Sequence, residues 1–229
     1  MNLLDMAHSR TRALLLGLIA FTVCGFLYPE GPHAALLTYD FEGTVDNAPS
    51  TYPFSSGQII TGSFTYDSST ADGTPADPVN GNYYSVMTSL SFSLGSYVGG
   101  TDGSGVSQIR LVNNSPGTGF SDYWISLTTV TAPNVNGASL QTIELLLQDP
   151  QALALTNKAL GPIIPFPAWR TSIFQLAFRD SFNSSSVVEG HLTSLAPVPL
   201  PAAAILFPSG LGLLAFAFRI VSGTPRQKV

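Results

Sequence analysis

Ser89-Leu90-Ser91-Phe92-Ser93-Leu94-Gly95 alternates polar and apolar residues one for one until a glycine stops it. A side-chain period of two belongs to a β-strand with one face in a core and the other in water. The same reading recurs outward along the chain. Ile125 and Leu127 alternate with Ser126 and Thr128. Ile143, Leu145 and Leu147 alternate with polar or smaller neighbours, and Phe174, Leu176 and Phe178 with Gln175, Ala177 and Arg179. These patterns predict eight strands near 36–45, 57–67, 83–95, 106–113, 122–131, 139–148, 172–179 and 186–194.

Turn chemistry separates them, at Asn80-Gly81, Gly99-Gly100, Asp102-Gly103, Pro116-Gly117 and Asn136-Gly137. One short helix is expected over 151–160, with Asp149 as its cap, Pro150 in its first turn and Gly161-Pro162 as its stop. Strands this regular, without alternating helices, point to an all-β antiparallel β-sandwich, jelly-roll-like, with a closed barrel as the other architecture.

The two ends read differently. Arg10 and Arg12 precede an apolar stretch from Ala13 to Leu27, the layout of a signal peptide cleaved near Ala34 or Ala35. Phe21-Thr22-Val23 before Cys24 lacks the small residue that a lipoprotein site needs. Cys24 is the only cysteine, so a chain cleaved there relies on its core without disulfides. At the other end, Ala202 to Phe218 is an uncharged run of seventeen residues. Spanning a hydrocarbon core takes about 17–25. Arg219, Arg226 and Lys228 follow it, and no acid lies beyond Glu189. The positive-inside rule then keeps the C-terminus cytoplasmic and exports what precedes Val198. Pro197, Pro199 and Pro201 hold the approach extended and fix where the helix starts. The expected domains are a signal peptide over 1–35, an exported β-domain over 36–197 and a membrane-directed segment over 198–229.

Val198-Pro199-Leu200-Pro201-Ala202, followed by Phe207, Ser209-Gly210-Leu211 and Arg219, closely resembles the VPLPA variant of the PEP-CTERM sorting signal. It departs from that pattern at Pro208, where glycine is usual, and in a basic cluster thinned to Arg219 with Arg226 and Lys228 displaced. The resemblance implies an exported protein of an exopolysaccharide-producing Gram-negative bacterium. It also implies passage through the Sec translocon, cleavage by signal peptidase and processing near the Pro motif by an exosortase-like membrane protease. Gly62-Ser63-Phe64-Thr65-Tyr66-Asp67, Tyr83-Tyr84, Ser89 to Gly95 and Leu192 to Leu195 look like a recurrent group of such proteins, without implying a mechanism.

Within 36–197, four bases (Arg110, Lys158, Arg170, Arg179) stand against twelve acids, a net charge of −8. Phosphate binding needs clustered Lys and Arg, so nucleic acid is excluded as a partner. His191 is the one histidine of this stretch and there is no cysteine, so a zinc site of nitrogen and sulfur ligands is not buildable. A Ser-His-Asp triad would have to use His191, and no Gly-x-Ser-x-Gly elbow supplies a nucleophile. Glycoside hydrolysis needs two carboxylates across a cleft. Glu42, Glu144 and Glu189 are on predicted strands, but nothing in the sequence pairs them. Asp67, Asp72 and Asp77 lie in one acidic loop, a candidate calcium site made of oxygen ligands. Trp169, Trp124 and Tyr84 are candidates for stacking on sugar rings.

The expectation is therefore a non-enzymatic surface or matrix protein that binds or organises exopolysaccharide. The alternatives are a carbohydrate-active enzyme (a glycoside hydrolase or lyase) and a calcium- or small-ligand-binding module.

Overall fold

The computed structural model describes residues 36–115 and 121–199. They form ten strands: β1 (Leu36–Asn47), β2 (Ile59–Asp67), β3 (Asn80–Tyr84), β4 (Met87–Leu94), β5 (Tyr97–Thr101), β6 (Ser107–Ser115), β7 (Ser121–Thr129), β8 (Ser139–Asp149), β9 (Thr171–Arg179) and β10 (Ser185–Pro197). All belong to one antiparallel sheet in the order β3-β6-β7-β8-β9-β10-β1-β2-β4-β5.

The sheet curls upon itself. β2 and β7 are five places apart in that order, yet Phe64 of β2 and Trp124 of β7 are in ring contact at 5.8 Å. Phe178 of β9 meets Tyr97 of the edge strand β5 at 6.1 Å. The inward set is what the alternation predicts. Leu90, Phe92 and Leu94 of β4, Ile143, Leu145 and Leu147 of β8, and Phe174, Leu176 and Phe178 of β9 are all buried. Burying each such side chain contributes about 1.5–3 kcal/mol relative to exposing it.

Two strands depart from the sequence reading. The expected strand 83–95 is split at Ser85, whose φ of 53° turns the chain. The part before it pairs with β6, and the part after it pairs with β2 and β5. β5 was expected to be a turn because it carries Gly99-Gly100. Those glycines instead mark close approach: a Cβ on Gly100 would stand 2.3 Å from the Leu90 carbonyl oxygen.

The helix expected over 151–160 does not form. Asp149 is a cap, accepting the N–H groups of Gln151, Leu153 and Ala154 at 3.0, 2.8 and 3.1 Å. Asp122 takes the next N–H, that of Leu155, at 2.7 Å. Two buried carboxylates thus use the donors that helical carbonyls would need, and Ala152 has a φ of 54°. The only helical turn among the described residues is a 3-10 turn at Phe166–Ala168.

Three tyrosines latch this long connection onto the sheet. Tyr66 donates to the Gly161 carbonyl at 2.6 Å, and Tyr39 accepts the Ile163 N–H at 2.8 Å. Tyr83 donates to the Lys158 carbonyl at 2.6 Å and accepts the Leu160 N–H at 3.1 Å. Both edge strands are also covered. Gly73 donates to the Asn82 carbonyl of β3 at 2.7 Å, and Gly100 of β5 exchanges two hydrogen bonds with Thr131. Covered edges do not template pairing with a further strand.

Candidate functional site

The register of β10, β1, β2, β4 and β5 places a band of small polar side chains on the outer face of the curl. Ser194, Glu42, Thr61, Ser93 and Val98 form one cross-strand row, and Ala196, Asp40, Ser63 and Ser91 form the next. A third row carries Thr38, Thr65 and Ser89. The rows arise because these strands alternate Ser, Thr or acid with Phe, Tyr, Leu or Gly, whose sides face inward. Hydroxyls bond across strands: Thr61 with Ser93 and Thr38 with Thr65, each at 2.9 Å.

The first two rows line an open groove of about 640 Å³. Its polar walls are the carboxylates of Asp40 and Glu42 and the hydroxyls of Thr61, Ser63, Ser91, Ser93 and Ser194. Val98, 56% exposed, is an apolar contact at its rim, and among the described residues no base lines it. Gly62, between Thr61 and Ser63, presents only its backbone to the groove, and a Cβ on it would point inward onto the Phe41 ring. Chemically the groove offers hydroxyl donors and acceptors, two fixed negative charges and one aliphatic surface. Asp40 and Glu42 are two residues apart on one strand, so both charges sit on the same wall.

The other expected site residues lie elsewhere. Asp67, Asp72 and Asp77 do not converge. Asp67 accepts from the Ser69 N–H and hydroxyl, and Asp77 from the N–H groups of Val79 and Asn80 and the Asn80 amide. These hydrogen bonds hold both carboxyls below their ordinary pKa. Asp72 faces Lys158, whose Nζ lies 2.9 Å from Asp72 Oδ2. The same ammonium donates to the carbonyls of Thr74, Asn80 and Pro75 at 2.9, 3.2 and 3.3 Å. The loop expected to hold calcium is thus organised around a lysine. Among the described residues, no group of three His, Cys, Asp or Glu is placed to hold a metal ion.

Two of the three aromatic candidates are corrected. Trp124 is 2% exposed and packs on Phe64, and Trp169 is 7% exposed with its ring N–H on the Ile164 carbonyl. Neither offers a free ring face: both belong to the buried core cluster. Tyr84 is exposed, on the edge strand β3 and away from the groove.

Glu42 lines the groove, whereas Glu144 and Glu189 share a row on the outer face of β8–β10, separated by Gln175. They do not oppose one another across a cleft. His191 pairs with Asp46 at 2.8 Å, both exposed, and among the described residues no serine hydroxyl is bonded to the ring. The sequence reading missed Asp40 and the Ser and Thr rows. Their signal was present as the polar half of each alternation, but their assembly needed the β10-β1-β2-β4-β5 order.

Of the sorting motif, Val198 and Pro199 are described. Val198 is exposed and its N–H donates to the Thr38 carbonyl at 2.9 Å, continuing the β1–β10 pairing. Leu200, Pro201, Ala202, Arg219, Arg226 and Lys228, the apolar segment and the signal region 1–35 lie outside the described residues. Among the described residues no helix is long and apolar enough to cross a membrane. No protein family, curated protein or solved structure matches the chain.

Proposed function

We propose that this chain is an exported, non-enzymatic surface or matrix protein whose outer sheet face binds exopolysaccharide. In this reading the all-β body is a jelly-roll-like sandwich. It passes the Sec translocon, loses residues 1–35 to signal peptidase, and is held by its C-terminal segment until an exosortase-like protease acts near Val198–Ala202. It then resides at the cell surface or outside the cell. The sorting-signal resemblance supports the destination.

One observation carries the binding role: the open groove of about 640 Å³ lined by five hydroxyls and two carboxylates. Sugars are recognised by such hydrogen-bonding groups together with some apolar contact, here Val98. An open groove accepts a polymer threaded along it, where an enclosed pocket would accept only a chain end. Asp40 and Glu42 favour binding over hydrolysis, because a glycosidase places its two carboxylates on opposite sides of the scissile bond.

The test is equilibrium binding of the purified chain to polysaccharide from the producing organism, with oligosaccharide release followed in parallel. Saturable binding without release is expected, and it should weaken about tenfold or more in Asp40→Asn/Glu42→Gln and in the groove-filling Ser91→Trp. Release of shorter sugars would move the protein to the carbohydrate-active enzymes. Binding unchanged in both variants would place any sugar site elsewhere.

A further inference from the structure

A second outer face, on β6–β10, has a different chemistry. Arg110, Ile125, Leu146, Ile173 and His191 form one cross-strand row, and Gln108, Leu127, Glu144, Gln175 and Glu189 form the next. The middle of this face is aliphatic. Leu127 is 40% exposed, and Ile125, Leu146 and Ile173 are half-buried. Outer faces of antiparallel sheets are ordinarily polar, as the groove face is.

Charge of opposite sign flanks β8 on its two sides. Two strands to one side, on β6, stands exposed Arg110. Its guanidinium donates to the Asn80 amide oxygen at 2.7 Å, and among the described residues no carboxylate lies within salt-bridge distance of it. Two strands to the other side, on β10, stands Glu189, whose carboxylate accepts from the Gln175 amide. Beside it is His191 with Asp46. The strands that carry base and acid thus lie two places to either side of β8, with Arg110 and Glu189 in adjacent rows.

We infer that this face is a self-association surface, on which two copies pack about a two-fold axis running along β8. Such an axis lies in the interface and exchanges β6 with β10 and β7 with β9 across it. Leu146 then meets Leu146, Ile125 meets the second copy's Ile173, and each Arg110 stands over the His191–Asp46 pair of the other copy, with Glu189 in the adjacent row. Asp46, bound to the His191 ring, and Glu189 supply the negative charge at the flank that Arg110 meets, which is the condition for self-complementarity. The two Glu144 carboxyls face one another near the axis, an opposing contribution that keeps the association weak. Five strands at about 4.8 Å spacing give a face about 20 Å wide. The surface is separate from the groove, which uses Ser194 and Ala196 of β10 and none of these residues.

The test is disulfide trapping in the full chain, exported from a Gram-negative host in a Cys24→Ser background. Leu146→Cys, on the axis, is expected to give a covalent dimer on mild oxidation. Ser91→Cys, exposed on the groove face, is expected to give none. Adding Arg110→Glu should lower the dimer yield about tenfold, and adding Glu189→Arg to that variant should restore it. Glu144→Gln should raise the yield a few-fold by removing the opposed charges. Cross-linking of Leu146→Cys no greater than that of Ser91→Cys, or indifferent to Arg110→Glu, would overturn the inference.

Discussion

Lys158 Nζ lies 2.9 Å from Asp72 Oδ2, joining the acidic loop after β2 to the long connection after β8 across 86 residues of chain. Three carbonyl oxygens of the 74–80 segment complete the ammonium's surroundings. The geometry resembles an oxygen-lined cation site whose cation is supplied by the protein itself. Lys158→Met should therefore remove a charge and its contacts with one carboxylate and three carbonyl oxygens. A loss of about 1–2 kcal/mol is expected in urea unfolding, with Lys158→Arg intermediate because a planar guanidinium fits a rounded cage poorly. Unchanged stability in Lys158→Met would mean that the loop is held by its own turns alone.

The same pair sets an acid limit. Partial burial would raise the Asp72 carboxyl, but the Lys158 ammonium, the N–H groups of Thr74 and Asn82 and the Thr74 hydroxyl together lower it to about 2. A lowered folded-state pKa stabilises the fold above the ordinary carboxylate range, and the contribution is lost as pH falls towards 2. Discounted for solvent screening, it is about 1 kcal/mol. The difference in stability between wild type and Asp72→Asn should shrink progressively between about pH 4 and pH 2. A constant difference across that window would show that Asp72 acts only as a neutral hydrogen-bond acceptor.

Tyr83 supports this junction from the sheet side. Burial, and next the Asp72 charge, raise its pKa, so its hydroxyl stays protonated and donates to the Lys158 carbonyl. Tyr83→Phe leaves that carbonyl and the Leu160 N–H without their partner, at about 1–3 kcal/mol. The effect should be local. Amide exchange or proteolysis over 153–165 should accelerate more than exchange in β8 or β9, since the latch is lost and the ladders are not. Uniform acceleration across the sheet would argue against a latch.

How far the sequence reveals these features follows from the range of the interaction. The inward sides of β4, β7, β8 and β9 are written locally as Leu90/Phe92/Leu94 or Phe174/Leu176/Phe178 and are found buried as read. β5 was hidden because Gly99-Gly100 carries turn chemistry, while its role is to let strands approach Leu90 and Ala132. The expected helix was hidden because Asp122, 33 residues away from Leu155, takes its N–H. The acidic loop was visible as three aspartates, but the lysine that fills it is far along the chain. The prolines around Trp169 suggest an exposed loop, yet its ring belongs to the buried core. The groove needed five strands in a non-sequential order, and no local pattern encodes that order.

Gly62 gives a direct check of that order. A Cβ placed there would stand within 2.3 Å of the Phe41 ring and 2.5 Å from the Ser91 carbonyl oxygen, a ring on β1 and backbone on β4. The ring can turn, but the carbonyl is fixed in the ladder. Gly62→Ala should therefore cost about 1–3 kcal/mol as overpacking, well beyond the effect of Ser63→Ala beside it. Thermal unfolding of the two variants decides it; equal midpoints would mean that β2 does not lie between β1 and β4 as described.

Glu144 makes the opposite prediction, that a change increases stability. It stands between Leu127 and Gln175 on the outer face, and partial burial raises its carboxyl pKa. The sign follows from proton binding. The folded state holds the proton more tightly than the unfolded state, so the group's favourable contribution is present below the ordinary carboxylate range. It is lost as pH rises through the raised value. At neutral pH the charged form is a net cost, and Glu144→Gln removes it while keeping shape and a hydrogen-bonding end. A gain of less than about 1 kcal/mol is expected, because the site is half open to water. The gain should appear at pH 7 and vanish near pH 4. Measured at concentrations too low for association, it reports the single chain alone, and a gain that survives unchanged at pH 4 would trace it to packing instead of charge.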